Sequence, residues 1–140
     1  MVSLIFQKAV LLIAGATALV IGGYILVSPD AFYAAYGIPV SGNTSLLNEL
    51  RAGGGAVLVL GLLILSGLVF ARFRLASTLL ATAMFFAYGA TRLASLGIDG
   101  QPDGGLITAM IAELVIGGAG VAALIAARKH RLTGRVADNA

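Results

Sequence analysis

Two acids and two bases, Glu49, Arg51, Arg92 and Glu113, fall within or against the long apolar stretches of this 140-residue chain. Carboxylates and guanidinia held together away from water have three uses. They can neutralise one another and lock the register of packed helices, orient a polar group of a ligand, or, through a desolvated glutamate, move a proton. Glu113 is the most informative of the four. It lies seven residues into an otherwise uncharged run, about 10 Å along a helix axis. An ionised group at mid-span carries a penalty on the order of 2.5–3.5 kcal/mol, so Glu113 is expected to face other helices, a partner or a water-filled cavity. One turn to either side, its face carries Ala109, Gly117 and Gly120, which leave space beside the carboxylate. Arg92 is expected near the same depth, with Tyr88 one turn below it and able to hydrogen-bond into an Arg92–Glu113 pair. Glu49 and Arg51, at the start of another helix, would close the group. The sequence leaves open whether the cluster is a structural lock or a polar pocket for a lipid or small amphiphile.

The elements that must position these residues follow from hydropathy. Hydrophobic residues make up 59% of the chain and charged residues 11%, against roughly a quarter charged in a soluble domain. The runs 9–27, 52–71 and 75–91 contain no charge, and 106–127 contains only Glu113. About 20 helical residues cross the ~30 Å hydrocarbon core. The reading is therefore an all-α integral membrane bundle in one domain, 1–140, with transmembrane helices at about 4–27, 49–71, 75–97 and 106–128 and a tail at 129–140. The first run is too long for the apolar part of a signal peptide and is expected to be retained.

Net charge is +3 and the isoelectric point about 9.7, but the placement of the bases argues against nucleic acid. Lys8, Arg72, Arg74, Arg128, Lys129, Arg131 and Arg135 share one side of a four-helix topology, and Asp30, Asp99 and Asp103 the other. This is the positive-inside pattern of a multi-pass membrane protein with both termini cytoplasmic. No basic patch is interleaved with aromatics as nucleic-acid binding would require.

Between the first two helices, Ser28-Pro29-Asp30 has the composition of a helix start. It leads into Phe32, Tyr33 and Tyr36, read as a short interfacial helix with an aromatic belt that Gly37 and Pro39 end. A polar loop is expected over 40–48 and another over 97–105. The spacing E-L-x-x-G-G occurs at Glu49 and again at Glu113, and Gly22–Ser28 is echoed by Gly89–Ser95. Two repeated helical hairpins would produce that echo. Small residues recur every fourth position at Ala14-Ala18-Gly22, Ala83-Ala87-Thr91 and Gly118-Ala122-Ala126, and Ala52 and Ala56 flank Gly53-Gly54-Gly55. Since lipid provides no hydrophobic drive between helices, such residues allow the close backbone approach on which association depends.

Zero cysteines exclude disulfides, thiol catalysis and thiolate metal sites. His130, the single histidine, sits in the basic tail away from the glutamates, so no metal site and no cofactor is expected. No nucleophile motif is present and no catalytic residue is assigned.

The stretch Asn48-Glu49-Leu50-Arg51-Ala52-Gly53-Gly54, following the aromatic segment from Phe32 to Ile38, together with Arg92 and Glu113-Leu114, resembles the bacterial membrane family called domain of unknown function 4345. That family is similar to the wider DoxX-like four-helix group. The resemblance covers the chain from the first helix to Ala127, and the triple glycine departs from the family pattern. It implies a small four-helix inner-membrane protein whose charged positions are Glu49, Arg51, Arg92 and Glu113, and it implies no activity. The functional expectation is an accessory or ligand-binding component, self-associated or within a larger membrane complex. The alternative is a small-molecule carrier or membrane enzyme working through an outer-leaflet pocket around Glu113 and Arg92.

Overall fold

The computed structural model describes the backbone of residues 2–138 and the side chains of residues 3–129. It is an all-α bundle of four long helices, α1 (Val2–Val27), α3 (Thr44–Val69), α4 (Arg74–Asp99) and α5 (Gly104–Asp138), with a short helix α2 (Pro29–Ala34) between the first two and a single 3₁₀ turn at Ala71–Phe73. Four segments are long and apolar enough to cross a membrane: Ser3–Val27, Thr44–Val69, Ala71–Asp99, which joins the 3₁₀ turn to α4, and Gly104–Lys129. Their outward faces carry large apolar side chains such as Ile5, Val20, Leu62, Leu79, Val115 and Ile125. An exposed apolar surface on every helix is what a lipid solvent requires.

The helices pack as two pairs. α1 lies most extensively against α3, and α4 against α5, the arrangement that two hairpins would adopt. The α1–α3 contact is built from backbone. A Cβ placed on Gly22 would fall 2.7 Å from the Gly54 carbonyl oxygen, and one on Gly61 2.8 Å from the Leu19 nitrogen. Glycine is required where two helices approach this closely. The glycine run is thus a packing device in an unbroken helix: Gly54 seats Ile25 and Leu26, while Gly53 stands clear. The α4–α5 contact is built from side chains, with Leu114 over Gly89, the Phe86 ring over Gly117 and Thr82 against Gly120.

The core comprises Leu11, Ala14 and Ala18 of α1, Val57 and Ile64 of α3, and Ala81, Met84 and Phe85 of α4. Of the three small-residue stripes, Ala14-Ala18-Gly22 lies inside. Ala83-Ala87-Thr91 faces outward, as do Gly118 and Ala122. On α4 the inward positions are Ala81, Phe85 and Gly89 instead. Small residues line several sides of these helices, so the four-residue period alone does not choose the side.

Two element limits differ most from the sequence reading. α3 starts at Thr44, not Glu49, because the Asn43 side chain caps it by accepting a hydrogen bond from the Leu46 backbone N–H (3.0 Å). Residues 44–48 are therefore helix, not loop. α5 runs through Asp138, 35 residues or about 52 Å at the helical rise, beyond the ~30 Å that lipid needs. No glycine or proline follows Gly120 until Gly134, so nothing local stops the helix at 128. Ser28 begins α2 by position only, its side chain making no capping hydrogen bond. The turns after α2 and α4 use Gly37 (φ 70°) and Gly100 (φ 91°), in a backbone region that side chains disfavour.

Candidate functional site

At the end of the bundle where α1 meets α2, a cavity of about 310 Å³ opens between all five helices. Its upper wall is α2, packed as an aromatic cap. Phe32 meets Tyr24 of α1, Tyr33 and Tyr36 edge to face, with ring centroids 5.5, 5.2 and 5.4 Å apart, a geometry that aligns ring edges with ring faces. Tyr36 reaches across to the start of α5, where a Cβ on Gly105 would meet its ring at 2.9 Å. That start is itself fixed by Asp103, whose side chain accepts from the Gly105 N–H at 2.7 Å. The lower wall is apolar: Ala18, Ile21 and Ile25 of α1, Val57 of α3, and Met84 and Phe85 of α4. Ala18 lies nine residues before the end of α1, so the cavity extends about 14 Å into the bundle.

The polar part of the wall is the Arg92–Glu113 pair. Arg92 Nε donates to both carboxylate oxygens of Glu113, at 3.1 and 3.0 Å. The Glu113 side chain retains 13% of its surface and that of Arg92 34%. The carboxylate is thus enclosed, while the guanidinium stays partly open. Among the described residues, the terminal Nη groups of Arg92 form no hydrogen bond. Charge-assisted bonding of this kind is short and directional, so the pair joins α4 to α5 and leaves the terminal Nη groups of Arg92 as spare donors.

The other sequence-derived residues separate around this pair. Tyr88 and Glu49 line the same cavity. Tyr88 makes no hydrogen bond to the pair; Thr91 donates to the Tyr88 backbone carbonyl instead (2.9 Å). Glu49 is exposed at the rim, and Arg51 is exposed and outside the cavity wall. Two residues apart on a helix, they point in directions 200° different, so one α3 face cannot present both. Phe32, Tyr33 and Tyr36 all contribute to the wall. Burial raises the pKa of Tyr33 above its ordinary value, the proximity of Tyr88 adds to the rise, and Arg92 opposes it. Its hydroxyl therefore remains protonated and able to donate at neutral pH. The space beside Gly117 and Gly120 is filled by Phe86 and Thr82 of α4, and Ala109 is left as the small residue that opens onto the cavity.

Sequence reasoning missed Gln7. It is buried in α1, and its amide donates to Thr78 Oγ1 of α4 at 2.9 Å. A glutamine inside an apolar run, one turn from the helix start, was the available signal. Among the described residues, no group of three His, Cys, Asp or Glu side chains is disposed to hold a metal ion.

The fold and cavity define a small polytopic membrane protein, a four-helix bundle with an intramembrane ion pair on the wall of an aromatic-capped pocket. Residues 6–126 match the family model described as domain of unknown function DUF4345, and the chain belongs to that family. No curated protein and no solved structure matches the chain.

Proposed function

We propose that this chain is a non-catalytic, ligand-binding component of the bacterial inner membrane, with both termini cytoplasmic, that holds a small neutral amphiphile in the aromatic-capped cavity. The observation that carries the reading is the placement of the Arg92–Glu113 pair on a cavity wall, with the guanidinium partly open and its terminal N–H groups without a hydrogen-bond partner among the described residues. A volume of about 310 Å³ lies at the small end of the ~300–1,000 Å³ typical of small-molecule sites, and an apolar wall with a few convergent polar groups is their usual composition. The charge of Arg92 is already met by Glu113, and Glu49 stands at the rim, so an anionic head would be disfavoured. A hydroxyl or carbonyl head accepting from Arg92 or Tyr33 fits, with its apolar body against Ile21, Ile25, Val57 and Met84.

Native mass spectrometry of the protein gently released from its own membrane, beside Glu113→Gln, tests this. A neutral small molecule retained by the parent and lost from the variant is expected. A ligand-free parent would overturn the reading. Orientation is tested by a reporter fused after Ala140, expected to be active only on the cytoplasmic side.

A second reading, an accessory role through self-association or docking into a larger membrane complex, is favoured by the outward-facing Ala83-Ala87-Thr91 stripe. Small residues on a lipid-facing surface allow another helix to approach closely. The same spectra distinguish the two: a defined multimer or hetero-complex lost in Ala87→Leu supports association, and a monomeric parent overturns it.

A further inference from the structure

A second and larger cavity, about 580 Å³, lies at the opposite end of the bundle, between the starts of α1 and α4 and the part of α5 near Arg128. Arg72, Arg74 and Arg128 stand on its wall, and among the described residues no acidic side chain does. Each guanidinium is disposed differently. Arg72 lies over the Phe73 ring, 4.6 Å from its centroid, and near the Phe70 ring at 5.9 Å. That stacking orients the guanidinium plane and, among the described residues, leaves its N–H edge without a hydrogen bond. Arg74 has its Nε buried with no hydrogen-bond partner. Arg128 is exposed at the mouth.

The remainder of the wall is graded. Ser3 and Gln7 add polar groups beside the arginines, while Leu75, Leu79 and Leu124 continue towards the bundle's middle. Leu75 and Leu79 also face outward, so the groove is continuous with the lipid-facing surface. Polar donors at one end and an open leucine track at the other match a molecule with an anionic head and hydrocarbon chains, entering from the side.

We propose that this groove binds the phosphate of an anionic phospholipid, with Arg72, Arg74 and Arg128 around the phosphodiester and an acyl chain along Leu75, Leu79 and Leu124. The site is separate from the aromatic-capped cavity and does not depend on the function assigned there. Basic pockets between membrane helices recognise phospholipid heads in this way, through charge and multiple donors. Free phosphate shares the head chemistry but has nothing to place on the leucines.

The test is native mass spectrometry of the full chain released from nanodiscs containing equal phosphatidylglycerol and phosphatidylethanolamine. Retention of phosphatidylglycerol over phosphatidylethanolamine by tenfold or more is expected for the parent, given about fivefold per basic residue near an anionic head. Arg128→Gln, at an exposed position that threatens no packing, is expected to lower that preference about fivefold, and Arg72→Gln/Arg74→Gln/Arg128→Gln to abolish it. Glu113→Gln, at the other end, is expected to leave it unchanged. Equal retention of the two lipids, or a preference that survives the triple substitution, would overturn the proposal. So would displacement of the bound lipid by millimolar inorganic phosphate, which would make the head group alone the determinant.

Discussion

The two ends of this bundle treat charge in opposite ways. Where α4 ends and α5 begins, a guanidinium inside the bundle is answered by a carboxylate at 3.0 Å, beneath a cap of aromatic rings. Where α4 begins, three arginines line a larger opening with no acid on its wall among the described residues. A compensated pair joins the two helices that carry it and, on the proposed reading, favours neutral polar partners. An uncompensated cluster leaves its electrostatic gain to be made with something outside the chain. One chain therefore has both an internally neutral pocket and an anion-seeking groove, separated by the tightly packed layer around Leu11, Ile64 and Ala81.

The comparison breaks most severely at Arg92. Replacing it with leucine leaves Glu113 enclosed without a partner. Because the pair is partly open, the cost is expected at about 2–3 kcal/mol, below the 3–5 typical of a fully buried pair. Reversible unfolding in mixed micelles measures it. Glu113→Gln should cost less, since Arg92 can extend towards the headgroups whereas an enclosed glutamate cannot. Equal losses from the two substitutions would mean that the pair is not more open on the arginine side.

Next in size is the aromatic cap. Phe32→Ala removes the ring that joins Tyr24, Tyr33 and Tyr36, and about 1–2 kcal/mol of stability should be lost, the residue being only half-buried. The sharper expectation is a difference between ends: ligand retention in the capped cavity falls, and phospholipid retention in the arginine groove does not. A parallel loss at both ends would show that the two sites are coupled through the bundle.

A smaller effect is expected at Gln7. Its amide donates to Thr78, and Thr78 donates in turn to the Arg74 backbone carbonyl at 2.7 Å. Gln7→Leu leaves the Thr78 hydroxyl its own acceptor, so about 1 kcal/mol is expected. This chain of hydrogen bonds fixes the first turn of α4, and with it the backbone from which Arg74 projects. Phospholipid preference should therefore weaken in Gln7→Leu by more than its stability loss suggests; unchanged preference would detach the hydrogen-bond chain from the groove.

Much of this architecture is legible from residue order because lipid simplifies the rules. Length and the absence of charge set the four long helices, and the cost of burying a lone carboxylate sets Glu113 against Arg92. What is not legible depends on helix rotation. Arg51 and Glu49 share a short stretch of sequence, but they differ by more than half a turn, and only Glu49 reaches the cavity. Ala83 and Ala87 carry the same four-residue period as Ala14 and Ala18 but face lipid, because α4 turns Ala81, Phe85 and Gly89 inward. The arginine groove was hidden for another reason. Basic residues at helix ends serve topology in any multi-pass protein, and their convergence on one cavity requires the tertiary packing of α1, α4 and α5.

Glu49 gives the smallest expected effect and the most discriminating one. It is exposed at the cavity rim, with no hydrogen bond or ion pair among the described residues, and therefore contributes little to folding: Glu49→Gln should change stability by less than about 0.5 kcal/mol. Its charge nevertheless faces any molecule entering between α2 and α3. Removing it should leave binding of a neutral amphiphile intact while admitting anionic analogues of similar size, such as a medium-chain fatty acid. Exchange of such an acid into Glu49→Gln but not into the parent, followed by native mass spectrometry, would assign the rim carboxylate to selection and the Arg92–Glu113 pair to holding the site open. Fatty acid entering both proteins alike would mean that the compensated end discriminates by shape alone, and that the contrast in charge between the two ends does not extend to their ligands.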